Sequence, residues 1–314
     1  MARYILKRLG QSLIVIFIVT IMVFVLMHSL PGDPVKIFLG DSATPEQVEY
    51  YTKEFGLDQP LYVQYFSWIN GLLHGELGRS ITYKLDVKNL MLQRLACTVS
   101  ITLPAFIIAL VIGVIFGVIT SVNRGKPKDY VLTSIANVGI ATPSFWVGIL
   151  LVYVFSLKLA ILPVQGYVSP TESLTGYLKC LVLPVIVLSL GHLASTTRQT
   201  RSSMLEVVSQ DYIRTARSKG LSEKTVIYKH ALRNALIPIV TMMGGAIGGL
   251  IGGTVVIESL FNIPGIGSLM LTAITNKDYM VVQNVTFFIS LAVVIANLVV
   301  DILYGVIDPR IRVE

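Results

Sequence analysis

Six stretches of the chain stay apolar for long enough to cross a lipid bilayer as helices: residues 9–30, 98–122, 131–161, 180–197, 236–260 and 281–307. A helix rises about 1.5 Å per residue, so roughly 20 apolar residues cover about 30 Å of hydrocarbon. The third stretch contains Pro143 in "IATPSFW". Proline removes a backbone donor and crowds the preceding turn, so this span is expected to tilt or break. The fourth stretch is the shortest and carries Pro184. Between the first two, residues 31–97 hold turn signals such as "PGDP" and "HGELGRS", with Tyr50, Tyr51, Phe55, Tyr62, Tyr65, Phe66 and Trp68 to bury. That pattern predicts a folded cap rather than a linker. The expected organisation is a tail and first span over 1–30, a cap over 31–97, and a five-span core over 98–314.

The apolar pattern breaks sharply at "DYIRTARSKGLSEKTVIYKHALRNALIP", residues 211–238. Ser209 is a candidate cap for a helix with Asp211 in its first turn, and Gly220 suits the left-handed position that ends it. Ser222 then caps a second helix opened by Glu223, giving a hairpin over 209–235. Ile213, Ala216 and Gly220 share a smooth stripe beside Arg214, Arg217 and Lys219, and such a stripe can enter a groove on a partner protein. Val226, Ile227, Ala231 and Ala235 can lean back on the bundle. An alternative is a loop that obeys charge bias alone, with its basic face on anionic lipid.

Composition agrees with the pattern. Of 314 residues, 54% are hydrophobic and 14% charged, which is too apolar for a soluble domain of this length. A net charge of +7 raises nucleic acid as a partner, but the cations flank the apolar spans, where membrane orientation accounts for them. They gather before the first span, at 124–128, from Arg198 to Arg233 and at the C-terminal end, which puts both termini and the hairpin on the cytoplasmic side. The first apolar run exceeds a signal-peptide core and no small-x-small site follows it, so it is expected to be retained. Cys97 and Cys180 offer neither a disulfide framework nor a zinc site, and two free thiols are expected. The four histidines lack metal-ligand spacing, so no metal is expected. No G-x-x-x-x-G-K-[ST] loop exists; in "RGKPKD" the lysine is followed by Pro127. Nucleotide is therefore expected to bind elsewhere. No internal repeat is found, so any two-fold pathway needs a second subunit.

Within the fifth apolar stretch Gly244, Gly248 and Gly252 form one column, with Gly245, Gly249 and Gly253 beside it. Glycines four apart allow close helix packing, or they line a pore. Glu258 and Asp301 are acids in or near spans, expected at the interfaces unless they face the pathway. "FNIPGIG" after the fifth stretch reads as a re-entrant or interfacial turn.

The segment "YIRTARSKGLSEKTVIYKHALRNALIP" resembles the cytoplasmic loop of ABC importer permeases, in detail that of the dipeptide, oligopeptide and nickel permease family. Further matches are "LPGDP", "GELGRS", "ATPSFWVGILL", "FNIPGIGSL" and "DPRIR", in order along nearly the whole chain. The large segment after the first span looks like the first of the two permease subunits in that family. The resemblance implies an all-α membrane protein with six transmembrane helices, a type I importer permease with an external cap. It implies a homologous second permease as heterodimer partner, two cytoplasmic ATPase subunits carrying ATP and magnesium, and an extracytoplasmic solute-binding protein, in a bacterial or archaeal cytoplasmic membrane. No catalysis and no cofactor fall to this chain. Tyr212, Ile213, Ala216, Arg217, Gly220 and Leu221 would couple to the ATPase, and Tyr62, Tyr65, Trp68 and Arg79 would dock the binding protein. Where the general importer loop has Glu-Ala-Ala, this chain has Arg214, Thr215 and Ala216, so the glutamate contact does not carry over. The resemblance points to di- or oligopeptides, with nickel or its chelates and oligosaccharides as alternatives. A stand-alone carrier or channel would need a chain of intramembrane acids or a polar filter, and a membrane enzyme would need a nucleophile and base on one face.

Overall fold

The computed structural model describes residues 2–29, 34–40 and 43–307. Most of "LPGDP" and all of "DPRIR" lie outside the described residues, as does the side chain of Asp301. The described residues form thirteen helices and an isolated bridge between Arg79 and Asp86. These are α1 (Ala2–Ser29), α2 (Pro34–Leu39), α3 (Pro45–Glu54), α4 (Leu61–His74), α5 (Val87–Val122), α6 (Pro127–Ala141) and α7 (Ser144–Leu151). They continue as α8 (Leu174–Val208), α9 (Asp211–Ser218), α10 (Glu223–Thr225), α11 (Leu232–Leu260), α12 (Ile266–Thr275) and α13 (Tyr279–Ile307). Wider π-helical turns extend α7 over Val152–Lys158 and join α10 to α11 over Val226–Ala231.

Five helices are long and apolar enough to span a membrane, and a sixth span exists if the bent pair of α6 with α7 and its extension counts as one. That pair turns by 106° at the break, where Thr142 is extended and Pro143 opens α7. The sequence expectation of a broken third span is met there. The fourth span differs from its expected brevity: α8 is 35 residues long. Hydropathy registers only its apolar part, while Arg198, Gln199 and Arg201 prolong the same helix as a polar rod.

The chain divides into two compact units. One comprises residues 10–98 and 264–294. Its core gathers Val23, Met27, Leu77, Val87, Leu90, Leu269 and Val281. Asp278, fully buried, accepts hydrogen bonds from the Ser80 hydroxyl at 2.5 Å and the Thr82 amide at 2.9 Å, and so ties the "GELGRS" turn to the start of α13. Asn284 donates to the Leu77 carbonyl at 2.9 Å from the next turn of α13. Thus residues 31–97 share their unit with α1, α12 and the start of α13.

The other unit comprises residues 1–9, 99–263 and 295–314. A close helix contact joins α5 and α8. A Cβ on Gly113 would lie 2.7 Å from Thr196 Cβ, and one on Gly117 would lie 2.3 Å from Thr200 Cβ. Two glycines four apart therefore receive two threonines four apart. α11 ends in a Schellman-type cap: the Ile263 amide donates to the Glu258 carbonyl at 2.8 Å, with Asn262 in the left-handed region at φ 49°. The expected turn at "FNIPGIG" is realised there, with Phe261 and Ile263 buried.

Candidate functional site

The polar end of α8 leads into the hairpin. Ser209 closes α8, since its hydroxyl donates to the Glu206 carbonyl at 2.6 Å. The expectation that Ser209 caps α9 is therefore corrected: Gln210 holds that position with no side-chain cap, and Asp211 alone favours the helix start electrostatically. Gly220 lies at φ 79°, in the left-handed region where glycine is strain-free, and its amide donates to the Arg217 carbonyl at 2.9 Å. Ser222 caps α10 by accepting from the Thr225 amide at 3.4 Å. Arg217 clamps Glu223 across the turn with two bonds of 2.8 and 3.2 Å, and those bonds hold the Glu223 carboxyl below its ordinary range.

Two of the three residues in the stripe expected to meet a partner, Ile213 and Ala216, face inward. Ile213 is 0% exposed and Ala216 is buried, packed with Val118, Met204, Val226, Ile227, Ala231 and Ala235. Helical periodicity identifies residues that share a face, but the apolar edge of a short amphipathic helix goes to the nearest hydrophobic surface, here the chain's own bundle. Gly220, the third member of that stripe, is exposed, and the outward residues of the hairpin include Tyr212 at 44% exposure, Leu221 at 40%, and the side chains of Arg214 and Arg217. The Tyr212 hydroxyl accepts from Asn234 Nδ2 at 2.8 Å, which fixes the ring against the root of α11. The second helix does lean back through Val226, Ile227, Ala231 and Ala235, and it runs on into α11.

Just above the hairpin, Asp129 in the first turn of α6 receives both Arg201 Nε and Nη2 at 2.8 Å. The Gly125 amide at 3.0 Å and the Thr133 hydroxyl at 3.1 Å complete its shell. Neither residue was singled out from the sequence as a site. A signal existed: an acid in the first turn of a helix after "RGKP", and an arginine beyond the apolar end of α8.

The remaining expected site residues separate into exposed and enclosed ones. Tyr62 and Arg79 are exposed, Arg79 donating to the Lys84 carbonyl at 3.4 Å. Tyr65 and Trp68 are turned to their own unit. The Tyr65 hydroxyl pairs with Thr20 at 2.9 Å, and the Trp68 indole donates to Asn284 at 3.5 Å and stacks on Phe24. The glycine column also divides: Gly244 packs on Val300, Gly248 is half-buried and Gly252 is open. Glu258 is fully buried, two residues before the end of α11. Cys97 and Cys180 are buried and form no disulfide, and the Cys97 thiol donates to the Gln93 carbonyl at 3.8 Å.

Comparison with known proteins places this arrangement. Residues 109–313 match the family described as "Binding-protein-dependent transport system inner membrane component", and residues 1–102 match its N-terminal companion. A Brucella abortus protein named for a peptide transport system permease is 45% identical over 314 residues, covering all of both chains. The oligopeptide transport system permease protein AppB of Bacillus subtilis is 38% identical over 315 residues, covering 99% of this chain and all of that one. The solved MetNI methionine ABC transporter, in inward-facing conformations, is similar in fold with a TM-score of 0.57 at 16% identity, covering 70% of this chain and 96% of that one.

Proposed function

The chain belongs to the family of binding-protein-dependent transport system inner membrane components, and from that premise we propose that it forms half of an ATP-driven import pathway for di- or oligopeptides. The peptide assignment is supported by the names of relatives that align over the full chain. In this reading a homologous second permease completes the pathway, two cytoplasmic ATPase subunits bind ATP and magnesium, and an extracytoplasmic binding protein delivers the solute. The chain itself performs no catalysis and holds no cofactor. Both termini and the hairpin face the cytoplasm.

The observation that carries the proposal is the hairpin. Its apolar edge is locked into the bundle through Ile213 and Ala216, while its outer edge presents Tyr212, Leu221 and Arg214 with the sharp turn at Gly220 between two helices. A push on that edge is delivered directly to α8 and α11, because the hairpin joins both without slack. Motion of the ATPase subunits can then bias the bundle between states, provided their contacts differ in the two. The exposed ends Tyr62 and Arg79 are retained as docking points for the binding protein; Tyr65 and Trp68 hold α4 in place beneath them.

The test is recovery of the ATPase subunits with the affinity-tagged chain from native membranes. The intact chain is expected to bring down two ATPase subunits and one second permease. A Tyr212→Asp, Leu221→Asp double variant should retain the second permease and lose the ATPases. Recovery of the ATPases undiminished with that variant would remove the hairpin from the coupling role.

A further inference from the structure

A cavity of about 430 Å³ opens where the "GELGRS" turn meets the start of α5, wholly within the unit of residues 10–98 and 264–294. Arg79 and Lys84 line it from the turn. Asp86 stands at the head of α5, and Asn89 and Gln93 follow it at steps of three and four residues, so all three share one side of the cavity. The opposite charges here are set side by side without neutralising each other. Arg79 and Asp86 face one another in the isolated antiparallel bridge, yet their side chains form no ion pair. Arg79 Nη2 donates instead to the Lys84 carbonyl at 3.4 Å. The side chains of Asp86, Asn89 and Gln93 are exposed and meet no hydrogen-bond partner among the described residues.

Water could satisfy a polar cavity anywhere on the surface, but this one stands at a particular depth. α5 is 36 residues long, and its apolar stretch begins at Thr98. Gln93 therefore lies about 8 Å along the helix from the hydrocarbon boundary, which is the level of lipid headgroups. The rim is apolar as well. Leu85 and Leu92 line the same cavity at 52% and 58% exposure, and Leu95, nearer the hydrocarbon, is 47% exposed. Opposite charges beside exposed leucines at that depth suit an amphiphile with two charges in its head rather than an acidic protein loop.

We propose that this cavity binds the headgroup of phosphatidylethanolamine. Arg79 and Lys84 donate to the phosphate, Asp86 accepts from the ammonium, and the acyl chains leave past Leu92 and Leu95 toward the hydrocarbon. An anionic lipid without an ammonium would meet Asp86 as a like charge, and a choline head carries no N–H for it. The proposal needs α5 to cross a membrane and does not rest on the solute reading. A guanidinium has five N–H donors, so a phosphate on Arg79 is compatible with the docking role given to it above.

The test is native mass spectrometry of the full chain, stripped of lipid in detergent and titrated with phosphatidylethanolamine, phosphatidylglycerol or phosphatidylcholine of matched acyl chains. One phosphatidylethanolamine should be held at least about tenfold more tightly than either other lipid. Arg79→Ala should weaken phosphatidylethanolamine and phosphatidylglycerol alike by about tenfold, the worth of one hydrogen bond to a charged group. Asp86→Asn should weaken phosphatidylethanolamine by a similar factor and leave phosphatidylglycerol unchanged or tighter. Both positions are exposed, so neither change disturbs a packed core. In the unaltered chain, phosphatidylethanolamine with a photoreactive head should label residues 79–93, and millimolar phosphoethanolamine, which has no acyl chains, should not displace the lipid. Equal retention of the three lipids, labelling elsewhere, or displacement by phosphoethanolamine would overturn the proposal. Unchanged lipid retention in both variants would also overturn it, and loss of binding-protein capture in those same variants would give the cavity to that protein instead.

Discussion

Asp129 shows how much one residue can hold. A carboxylate enclosed at the start of α6 is tolerable only because Arg201 meets both its oxygens and Gly125 and Thr133 supply two further donors. Removing the arginine leaves a buried charge with two neutral donors. Arg201→Ala is therefore expected to cost about 3–5 kcal/mol, read as a lowered thermal midpoint of the detergent-purified chain. Adding Asp129→Ala should recover part of that loss, because the stranded charge is gone; equal loss in the single and double variants would show that the pair is not coupled. At this scale the sequence was partly legible. Gly220 and Ser222 announced their turn and cap through residue type alone, and both sit as expected. Ser209 did not, because a serine one position beyond a long helix can close it as readily as open the next, and only the path of the chain decides. Tyr65 and Trp68 were legible as aromatic and not as inward-facing, since their partners Thr20, Phe24 and Asn284 are remote in sequence.

Among the elements, α5 and α8 meet at a tight joint. Gly113 and Gly117 admit Thr196 and Thr200 so closely that any side chain at 117 would overlap the threonine. Gly117→Leu is expected to force the helices apart at a cost of about 3 kcal/mol or more, seen as faster proteolysis of the detergent-purified chain, whereas Gly125→Ala, at a glycine with open space around it, should change little beyond the strain of its positive φ. A protease-resistant Gly117→Leu chain would contradict the contact. In the unit of residues 10–98 and 264–294, Asp278 holds the loop of Ser80 and Thr82. Asp278→Ala should release that loop and speed tryptic cleavage at the already exposed Arg79 and Lys84; unchanged cleavage would show the loop is held by other means. The spans were readable from hydropathy because bilayer thickness sets their length. The bend at Pro143 was readable from proline chemistry. The full length of α8 and the orientation of α9 were not: a helix that leaves the membrane keeps its backbone pattern while losing its apolar signal, and periodicity does not say which neighbour a face will find. The α5 glycines carry a four-residue spacing that the sequence displays openly, but spacing alone does not say which helix a glycine face will meet.

For the whole molecule, the family assignment rests on matches along nearly the full chain, the proposed peptide solute on the names of relatives, and the proposed coupling on how the hairpin is built into α8 and α11. In the proposed reading the chain is a passive conduit: a motor bound at Tyr212 and Leu221 would move the hairpin, and the hairpin would move α8 and α11. Gly220→Val tests the joint, since a β-branched residue at φ 79° strains the turn by about 1–2 kcal/mol. The most direct measurement is tripeptide accumulation and ATP hydrolysis, followed together in proteoliposomes that contain either the complete assembly or this chain alone. Accumulation is predicted only with the complete assembly and ATP, and with Gly220→Val hydrolysis should continue while accumulation falls. Tripeptide accumulation by the chain alone, or fully coupled transport in the Gly220→Val assembly, would contradict the account.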